Sequence, residues 1–363
     1  MTSTKSQSTF ANRIARLRSP FAHAKSSFVG IEIGVDTVSV AALALKPTLK
    51  GKRESGSLQW RTDYRFSTGI DPLSAPSPQW ISRTIDALVS RLPRCVEGNE
   101  NIAAISLPLP WVHHQVVLGT ELESSQSQCD AMFGNSMFQS DAHLSHWPVV
   151  GLQHGQPNQD DQYVVAATAE QAACQIAQAI QEVGYRVESI LPHGVALVQA
   201  AVPLTSVQAQ CVVYCNRTGG IVAMNNGSSC GLCRVLPAVP AQVIRDIDEN
   251  RLALHDVRPW LTDIAAEINA TIRYSNRANM QKDASEPILI CGDIVSIPGV
   301  DVVLAKLTNQ PIATWTYRGR KRPNRRSGGP GTQTTAKVAG DSLCALPLSL
   351  AYHASSLARE AQA

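Results

Sequence analysis

A single acidic side chain beside a tight glycine turn is the feature of this sequence most suited to chemistry. Residues 30–40 read Gly-Ile-Glu-Ile-Gly-Val-Asp-Thr-Val-Ser-Val, so Glu32 lies in an apolar run that ends at Gly34. Apolar residues resume at Val38 after this turn. The pattern predicts a β-hairpin whose turn amides and neighbouring carboxylate could bind a phosphate group and its metal ion. A hairpin with a purely structural turn fits the same residues.

Composition places the chain among globular proteins with more than one domain. It has 363 residues, of which 44% are hydrophobic, enough for a sizeable core. The best apolar run, near residues 38–45, is far shorter than the roughly 20 residues that a membrane-spanning helix needs. The first 27 residues lack the apolar segment of a secretory signal. We therefore expect a cytoplasmic protein.

The chain contains nine cysteines, which in a cytoplasmic protein indicates reduced thiols rather than a disulfide framework. Cys211, Cys215, Cys230 and Cys233 have the residue types of a zinc site. However, Cys211 and Cys215 belong to Cys-Val-Val-Tyr-Cys, whose composition predicts a strand. Residues four apart on a strand are separated by about 13 Å along it, too far to share a metal. Thiols buried in the core are therefore favoured over zinc.

Basic residues cluster in two segments that differ in composition. Residues 1–27 contain five Lys or Arg residues and no acidic residue. Residues 318–340 are rich in Gly and Pro, which predicts a loop, and their first part carries six basic residues. We predict that both are solvated, disordered segments. Weak contact with anionic lipid is the alternative, and no nucleic-acid-binding motif accompanies either segment.

The elements that must position the hairpin fall into two mixed α/β halves. The first half, residues 28–203, opens with the hairpin and contains an inserted subdomain at about residues 100–165. The second half, residues 204–317, opens with a strand-like segment at 210–224. A helix in residues 341–363 is expected to return to the first half. A Rossmann fold is disfavoured, because no Gly-x-Gly-x-x-Gly opens a helix after a strand.

One long polar segment is harder to assign. Residues 121–146 are rich in Gln, Ser and Asp and lack a clear apolar periodicity. We interpret them as a loosely helical surface insertion. Structure in this segment would therefore add to the inserted subdomain rather than to either half.

The order of the segments resembles the PilM family, the actin-like proteins of type IV pilus assembly, which are similar to the cell-division protein FtsA. The resemblance covers about residues 28–357, and residues 30–43 match the family's first phosphate hairpin. Val165-Ala166-Ala167-Thr168 resembles a family strand, and residues 289–300 resemble its adenosine-side motif. The resemblance implies an α/β actin-like fold of two domains (ASKHA, ribonuclease H-like) with an inserted 1C-type subdomain.

The resemblance also implies a nucleotide site between the two halves, with ATP and Mg²⁺ as its ligands. Glu32 would be the metal ligand. The residues that the resemblance places around the nucleotide are Glu32, Gly34, Val35, Asp36, Thr37, Asn216, Gly292 and Asp293.

This sequence departs from the family at the positions that matter for catalysis. Where the family's second phosphate hairpin has Asp-Ile-Gly, this chain has Tyr214-Cys215-Asn216. Asp293 replaces a glycine on the adenosine side, and Ser39 replaces a lysine after the first turn. Because Mg²⁺-assisted phosphoryl transfer relies on oxygen ligands, we expect little hydrolysis and assign no catalytic residue.

The resemblance therefore implies a scaffold, peripheral to the inner membrane, rather than an enzyme. Its partner would be the cytoplasmic tail of a PilN-like inner-membrane protein, docked against the 1A/1C region as an extended peptide. Self-association is compatible with this role. One alternative is an active ATPase or small-molecule kinase of the same superfamily, and another is a related component of type II secretion or of mannose-sensitive pilus biogenesis.

Overall fold

The computed structural model describes twelve ranges of the chain. Most of the two basic segments lies outside them, and so do residues 119–141. The expectations about lipid contact and disorder therefore stay predictions. The described residues are 26–45, 58–70, 77–95, 100–118, 142–148, 162–217, 219–226, 229–237, 240–249, 254–277, 286–318 and 341–360.

The first half is built on a five-stranded sheet with the order β3-β2-β1-β4-β8. Its first three strands are antiparallel, whereas β4 and β8 run parallel to β1. The predicted hairpin is confirmed, with Glu32 opposite Ser39 near the end of its first strand. The five strands are β1 (Ser26–Ile33), β2 (Thr37–Leu45), β3 (Leu58–Ser67), β4 (Glu100–Ser106) and β8 (Arg186–Ile190).

The second half repeats this topology in the sheet β11-β10-β9-β12-β13. Again the first three strands are antiparallel and the last two run parallel to the central strand. The single strand-like segment predicted at 210–224 is wrong, because the chain reverses after Asn216 and forms two strands. The five strands are β9 (Cys211–Asn216), β10 (Gly219–Asn226), β11 (Ser229–Leu236), β12 (Ile288–Gly292) and β13 (Ile312–Thr314).

A separate three-stranded antiparallel sheet with the order β5-β7-β6 lies between β4 and β8 in the chain. The expectation of loosely helical structure is wrong for residues 142–146, which belong to a strand of this sheet. The predicted subdomain boundaries stay predictions. The strands are β5 (His113–Leu118), β6 (Ala142–Pro148) and β7 (Gln162–Ala169).

Seven helices of eight residues or more cover the sheets within the described ranges. None of them is both long and apolar enough to cross a lipid bilayer. They are α1 (Pro78–Arg91), α2 (Glu170–Glu182), α3 (His193–Thr205), α4 (Ala241–Asp248), α5 (Leu254–Arg277), α6 (Val300–Thr308) and α7 (Ala345–Glu360).

Helices α3 and α7 pack together where the two halves meet. Their buried residues share one hydrophobic cluster with residues of both five-stranded sheets, for example Leu43 and Ile221. Helix α7 approaches β1 so closely that a Cβ on Gly30 would lie 1.7 Å from the carbonyl oxygen of Pro347. The absence of a side chain at Gly30 is therefore what lets the last helix return to the first half.

Helix α1 supports the first hairpin. It begins after Ser77, whose hydroxyl accepts a hydrogen bond from the backbone N–H of Trp80, and Pro78 suits its first turn. The buried face of α1 includes Trp80, which is 1% exposed. The indole N–H of Trp80 donates to the carbonyl of Val35 at 2.8 Å. The hairpin turn is thus fixed by a hydrogen bond from a buried aromatic side chain of α1.

Candidate functional site

The ends of the two central strands, β1 and β9, meet across the cleft between the halves. The hydroxyl of Tyr214 donates a short hydrogen bond to Glu32 Oε1, and Asn216 Nδ2 lies 3.5 Å from the same hydroxyl. All three side chains are buried, with exposures of 5% for Glu32, 2% for Tyr214 and 7% for Asn216. The carboxylate that the sequence assigns to a metal is therefore bonded to a tyrosine of the opposite half.

Burial decides the protonation of this pair. Desolvation raises the pKa of Glu32 above its ordinary value of 4.5, although the hydrogen bond from Tyr214 and the positive charge of Arg65 act in the opposite direction. Burial and the neighbouring Glu32 raise the pKa of Tyr214 well above 10.0. Tyr214 therefore keeps its proton at physiological pH and acts as the donor.

A second contact joins the halves at the rim of the cleft. Arg65, on β3, donates to Asp293 Oδ1 at 3.0 Å, and its other terminal nitrogen lies 3.4 Å from the hydroxyl of Thr37. The side chain of Arg65 is 37% exposed, whereas that of Asp293 is 14% exposed. Arg217 approaches the same carboxylate at 3.9 Å. Asp293 thus binds cations from both halves.

The turn of the first hairpin closes on itself. The backbone N–H of Gly34 donates to the carbonyl of Thr37 at 2.7 Å, and the carbonyl of Asp36 accepts from the backbone N–H of Thr68 at 2.8 Å. Val35 is buried at 2% exposure. The Gly34 amide, which would be a donor to a phosphate in a hairpin of this type, is therefore already used within the turn.

Gly292, at the end of β12, brings backbone against Tyr214. Its φ of +86° belongs to the region that favours glycine. A Cβ at this position would lie 2.4 Å from the carbonyl oxygen of Cys215 and 2.9 Å from the Tyr214 ring. The glycine therefore accommodates the tyrosine ring and the adjoining strand.

The cleft thus brings together Glu32, Thr37, Asn216, Gly292 and Asp293. In this arrangement Tyr214 and Arg65 bind the two carboxylates, so a Mg²⁺–nucleotide would have to displace both contacts. Within the described ranges, no group of three His, Cys, Asp or Glu residues could hold a metal ion. The predicted nucleotide and metal assignments stay predictions.

Sequence reasoning did not identify Arg65 or Arg217 as residues of the cleft. Arg65 lies on a strand 28 residues after Thr37 and 228 residues before Asp293. Alternation along β3 could have placed its side chain on one face of the sheet, but no local pattern pairs it with a residue of the other half. Only the repeated topology of the two sheets brings these positions together.

A second concave region lies between the first sheet and the three-stranded sheet. Its cavity has a volume of about 290 Å³ and is formed by the ends of β4 and β8, by β7 and by the start of α2. Cys174 and Glu170, on α2, line it. Its apolar lining includes Leu107, Val112, Ala166, Ala173, Ile190 and Leu191.

Comparison with known proteins identifies structural similarity without close sequence similarity. No protein-family model and no curated protein sequence matches the chain. The structure of a PilM–PilN type IV pilus biogenesis complex is similar over 90% of this chain and 98% of that chain, with a TM-score of 0.61 and 14% identity.

Two further structures have lower similarity, which supports no argument about function. The ethanolamine utilization protein EutJ from Carboxydothermus hydrogenoformans has a TM-score of 0.47 and 11% identity, over 94% of this chain and 96% of that chain. The cytoplasmic domain of EpsL, an inner-membrane component of the type II secretion system of Vibrio cholerae, has a TM-score of 0.39 and 8% identity. The match covers 73% of this chain and 81% of that chain. Similarity to the PilM–PilN structure shows that the chain has the α/β actin-like fold that its resemblance to the PilM family implied.

Proposed function

We propose that this chain is an actin-like scaffold of type IV pilus assembly that binds the cytoplasmic tail of a PilN-like inner-membrane protein. The observation that carries the proposal is the apolar cavity between the first sheet and the three-stranded sheet. The similar solved structure is itself a complex of PilM with PilN. The proposal places the chain in the cytoplasm, peripheral to the inner membrane through this partner.

The shape and chemistry of the cavity suit an extended apolar peptide. Strand β8 is an end strand of the first sheet, and its last residue, Ile190, is 36% exposed beside the cavity. A peptide segment added along such an edge gains backbone hydrogen bonds, while alternate side chains enter a neighbouring pocket. Ala166 and Ala173 leave room in the lining for the larger apolar side chains of a partner.

The cleft between the halves supports the non-enzymatic part of the proposal. Tyr214 and Arg65 bind the carboxylates that a metal-assisted hydrolysis would use. In our proposal these contacts hold the two halves in one arrangement without turnover. ATP binding would require the Tyr214–Glu32 hydrogen bond to break.

The peptide part is tested with two neighbouring surface variants of α2. Cys174 is exposed and lines the cavity, whereas Gln175 is exposed and does not belong to the lining. The probe is a synthetic peptide with the cytoplasmic tail of the PilN-like protein from the same organism, titrated calorimetrically. We expect Cys174→Arg to weaken binding by about tenfold or more and Gln175→Arg to leave it within about twofold. Equal effects of the two variants, or no binding to the native chain, would overturn the assignment of the cavity.

The enzymatic alternative is tested separately by phosphate release from Mg²⁺–ATP, with and without the peptide. We expect no release above that of Glu32→Ala. Sustained release that Glu32→Ala abolishes would favour an active ATPase and would leave the peptide site to be judged on its own titration.

A further inference from the structure

The Cys-Gly-Leu-Cys segment of β11 pairs irregularly with β10. Cys233 lies opposite Ala223 and Leu232 opposite Met224, but the next pair is Cys230 with Asn225, so Gly231 is skipped. On a regular strand, residues three apart point to opposite faces. The extra residue changes this alternation, and the Sγ atoms of Cys230 and Cys233 lie 3.1 Å apart.

Both thiols are protected while the strand is in place. Cys230 is 1% exposed and Cys233 is 7% exposed, and both belong to the hydrophobic cluster between the halves. The hydrogen bond with Cys230 and burial raise the pKa of Cys233 well above 9.0. However, β11 is an end strand of the second sheet. Local opening of such an edge exposes its residues without unfolding the sheet.

We propose that Cys230 and Cys233 are a reversible dithiol–disulfide pair that reacts with a small disulfide such as oxidised glutathione. One cysteine thiolate attacks the glutathione disulfide, which releases one glutathione and leaves a mixed disulfide. The second cysteine then attacks the protein sulfur and releases the second glutathione. Two S–H bonds are lost and one S–S bond forms, and the two electrons and two protons pass to the two glutathione thiols. The sulfurs need to approach by about 1 Å to reach bonding distance.

The pair is connected to the cleft by direct packing. A Cβ on Gly194, at the start of α3, would lie 2.3 Å from Cys233 Sγ, so this sulfur fills the space above the glycine. The neighbouring His193 ring lies 5.8 Å from the ring of Tyr214, centroid to centroid. Tyr214 in turn bonds to Glu32. Movement of the Cys233 sulfur towards Cys230 therefore changes the packing of the residues beside the cleft.

The redox step is tested on the full native chain by mass spectrometry. The chain is equilibrated in glutathione buffers of graded redox ratio, quenched in acid, alkylated and digested with trypsin. Peptide 218–234 carries Cys230 and Cys233 and no other cysteine, so an internal disulfide appears as the loss of two hydrogens and of both alkyl groups. We expect half-conversion at a ratio about tenfold more reducing than in the chain unfolded in urea.

The exposed Cys174 is the internal control and is expected to form only a mixed disulfide with glutathione. A peptide 218–234 that stays doubly alkylated in fully oxidised buffer would overturn the proposal. So would identical midpoints for the native and unfolded chains, since the native fold would then contribute nothing to the pairing.

The connection to the cleft is tested by hydrogen exchange. We expect oxidation to change exchange in residues 193–197 of the native chain but not in Cys230→Ser. The main result compares the oxidised and reduced native chains directly, so it does not depend on whether the Cys230→Ser variant folds. Unchanged exchange at these residues in the fully oxidised chain would overturn the connection.

Discussion

The two halves of the molecule share one sheet topology but differ in the hairpin that faces the cleft. In the first half, β1 and β2 are joined by the turn 34–37, and a carboxylate, Glu32, stands near the end of the strand. In the second half, only two residues separate β9 from β10, and the aromatic Tyr214 projects towards Glu32. The backbone is thus repeated, whereas the side chains at the cleft are complementary.

This difference shows how a ligand cleft can become an intramolecular contact. A buried carboxylate needs a hydrogen-bond donor or a cation, since an unpaired one is costly. Tyr214 supplies that donor from the opposite half, and Arg65 does the same for Asp293. The sheets do not depend on these side chains, because the apolar pattern of the strands specifies their order. The comparison therefore predicts that changes in the cleft act on the joint between the halves.

The largest expected effect comes from placing a side chain where Tyr214 packs. Gly292→Ala combines a φ of +86° with a Cβ 2.4 Å from the Cys215 carbonyl, and we expect the free energy of unfolding to fall by about 3 kcal/mol. Gly69→Ala is the matched control, since Gly69 has a φ of +73° but no atom within 4 Å of the added Cβ. Its expected cost is about 1 kcal/mol. If urea unfolding gave equal losses of free energy of unfolding for the two variants, Tyr214 and β9 would be able to shift and accommodate the added Cβ at little cost.

A smaller, pH-dependent effect is expected for Glu32→Gln. Burial raises the folded-state pKa of Glu32 above 4.5, so its favourable contribution is complete below that pH and is lost as the pH rises through the folded-state pKa. The difference in free energy of unfolding between the native chain and Glu32→Gln should therefore be constant below pH 4.5. At higher pH the free energy of unfolding of the variant should rise relative to that of the native chain, by about 1.4 kcal/mol for each pH unit by which the fold raises the pKa of Glu32.

The measurement for Glu32→Gln is urea unfolding at a series of pH values. Gln181→Ala, at an exposed position near the end of α2, is the control and should not change the pH profile, because it neither adds nor removes a titratable group. A profile of Glu32→Gln that runs parallel to that of the native chain would contradict the assigned burial. It would also return Glu32 to consideration as an ordinary ligand carboxylate, which would remove the contrast between the two hairpins.

Sequence patterns predicted the elements of both halves better than the contacts between them. The hairpin at Gly34 follows from alternation and turn residues, which are local signals. The reversal after Asn216 was missed, although Asn216-Arg217-Thr218-Gly219-Gly220 interrupts the apolar pattern of residues 211–224 with turn-forming residues. The resemblance placed Glu32 and Asn216 at one cleft, but the pairing of Arg65 with Asp293 joins positions with no sequence relation. Such contacts depend on tertiary packing, which local propensity does not contain.

The smallest expected effect concerns the Arg65–Asp293 ion pair. Because Arg65 is partly exposed, a double-mutant cycle of Arg65→Gln and Asp293→Asn should give a coupling energy of about 0.5–1 kcal/mol that falls with added salt. Arg234–Glu267, at 3.4 Å with side chains that are 40% and 42% exposed, is the comparison pair within the second half.

The two pairs should differ less in coupling energy than in the part of the chain where their loss changes hydrogen exchange. Arg65 also contacts Thr37, so Arg65→Gln should speed hydrogen exchange in the turn 34–37, whereas Arg234→Gln should not. Faster exchange in this turn in both variants would mean that it responds to overall stability. Faster exchange with Arg65→Gln and also with Asp293→Asn, but not with Arg234→Gln, would mean that the exposed pair, although weak, restrains the first hairpin from the opposite half. A contact of that kind stabilises the relative position of the halves even where it adds little to their total stability.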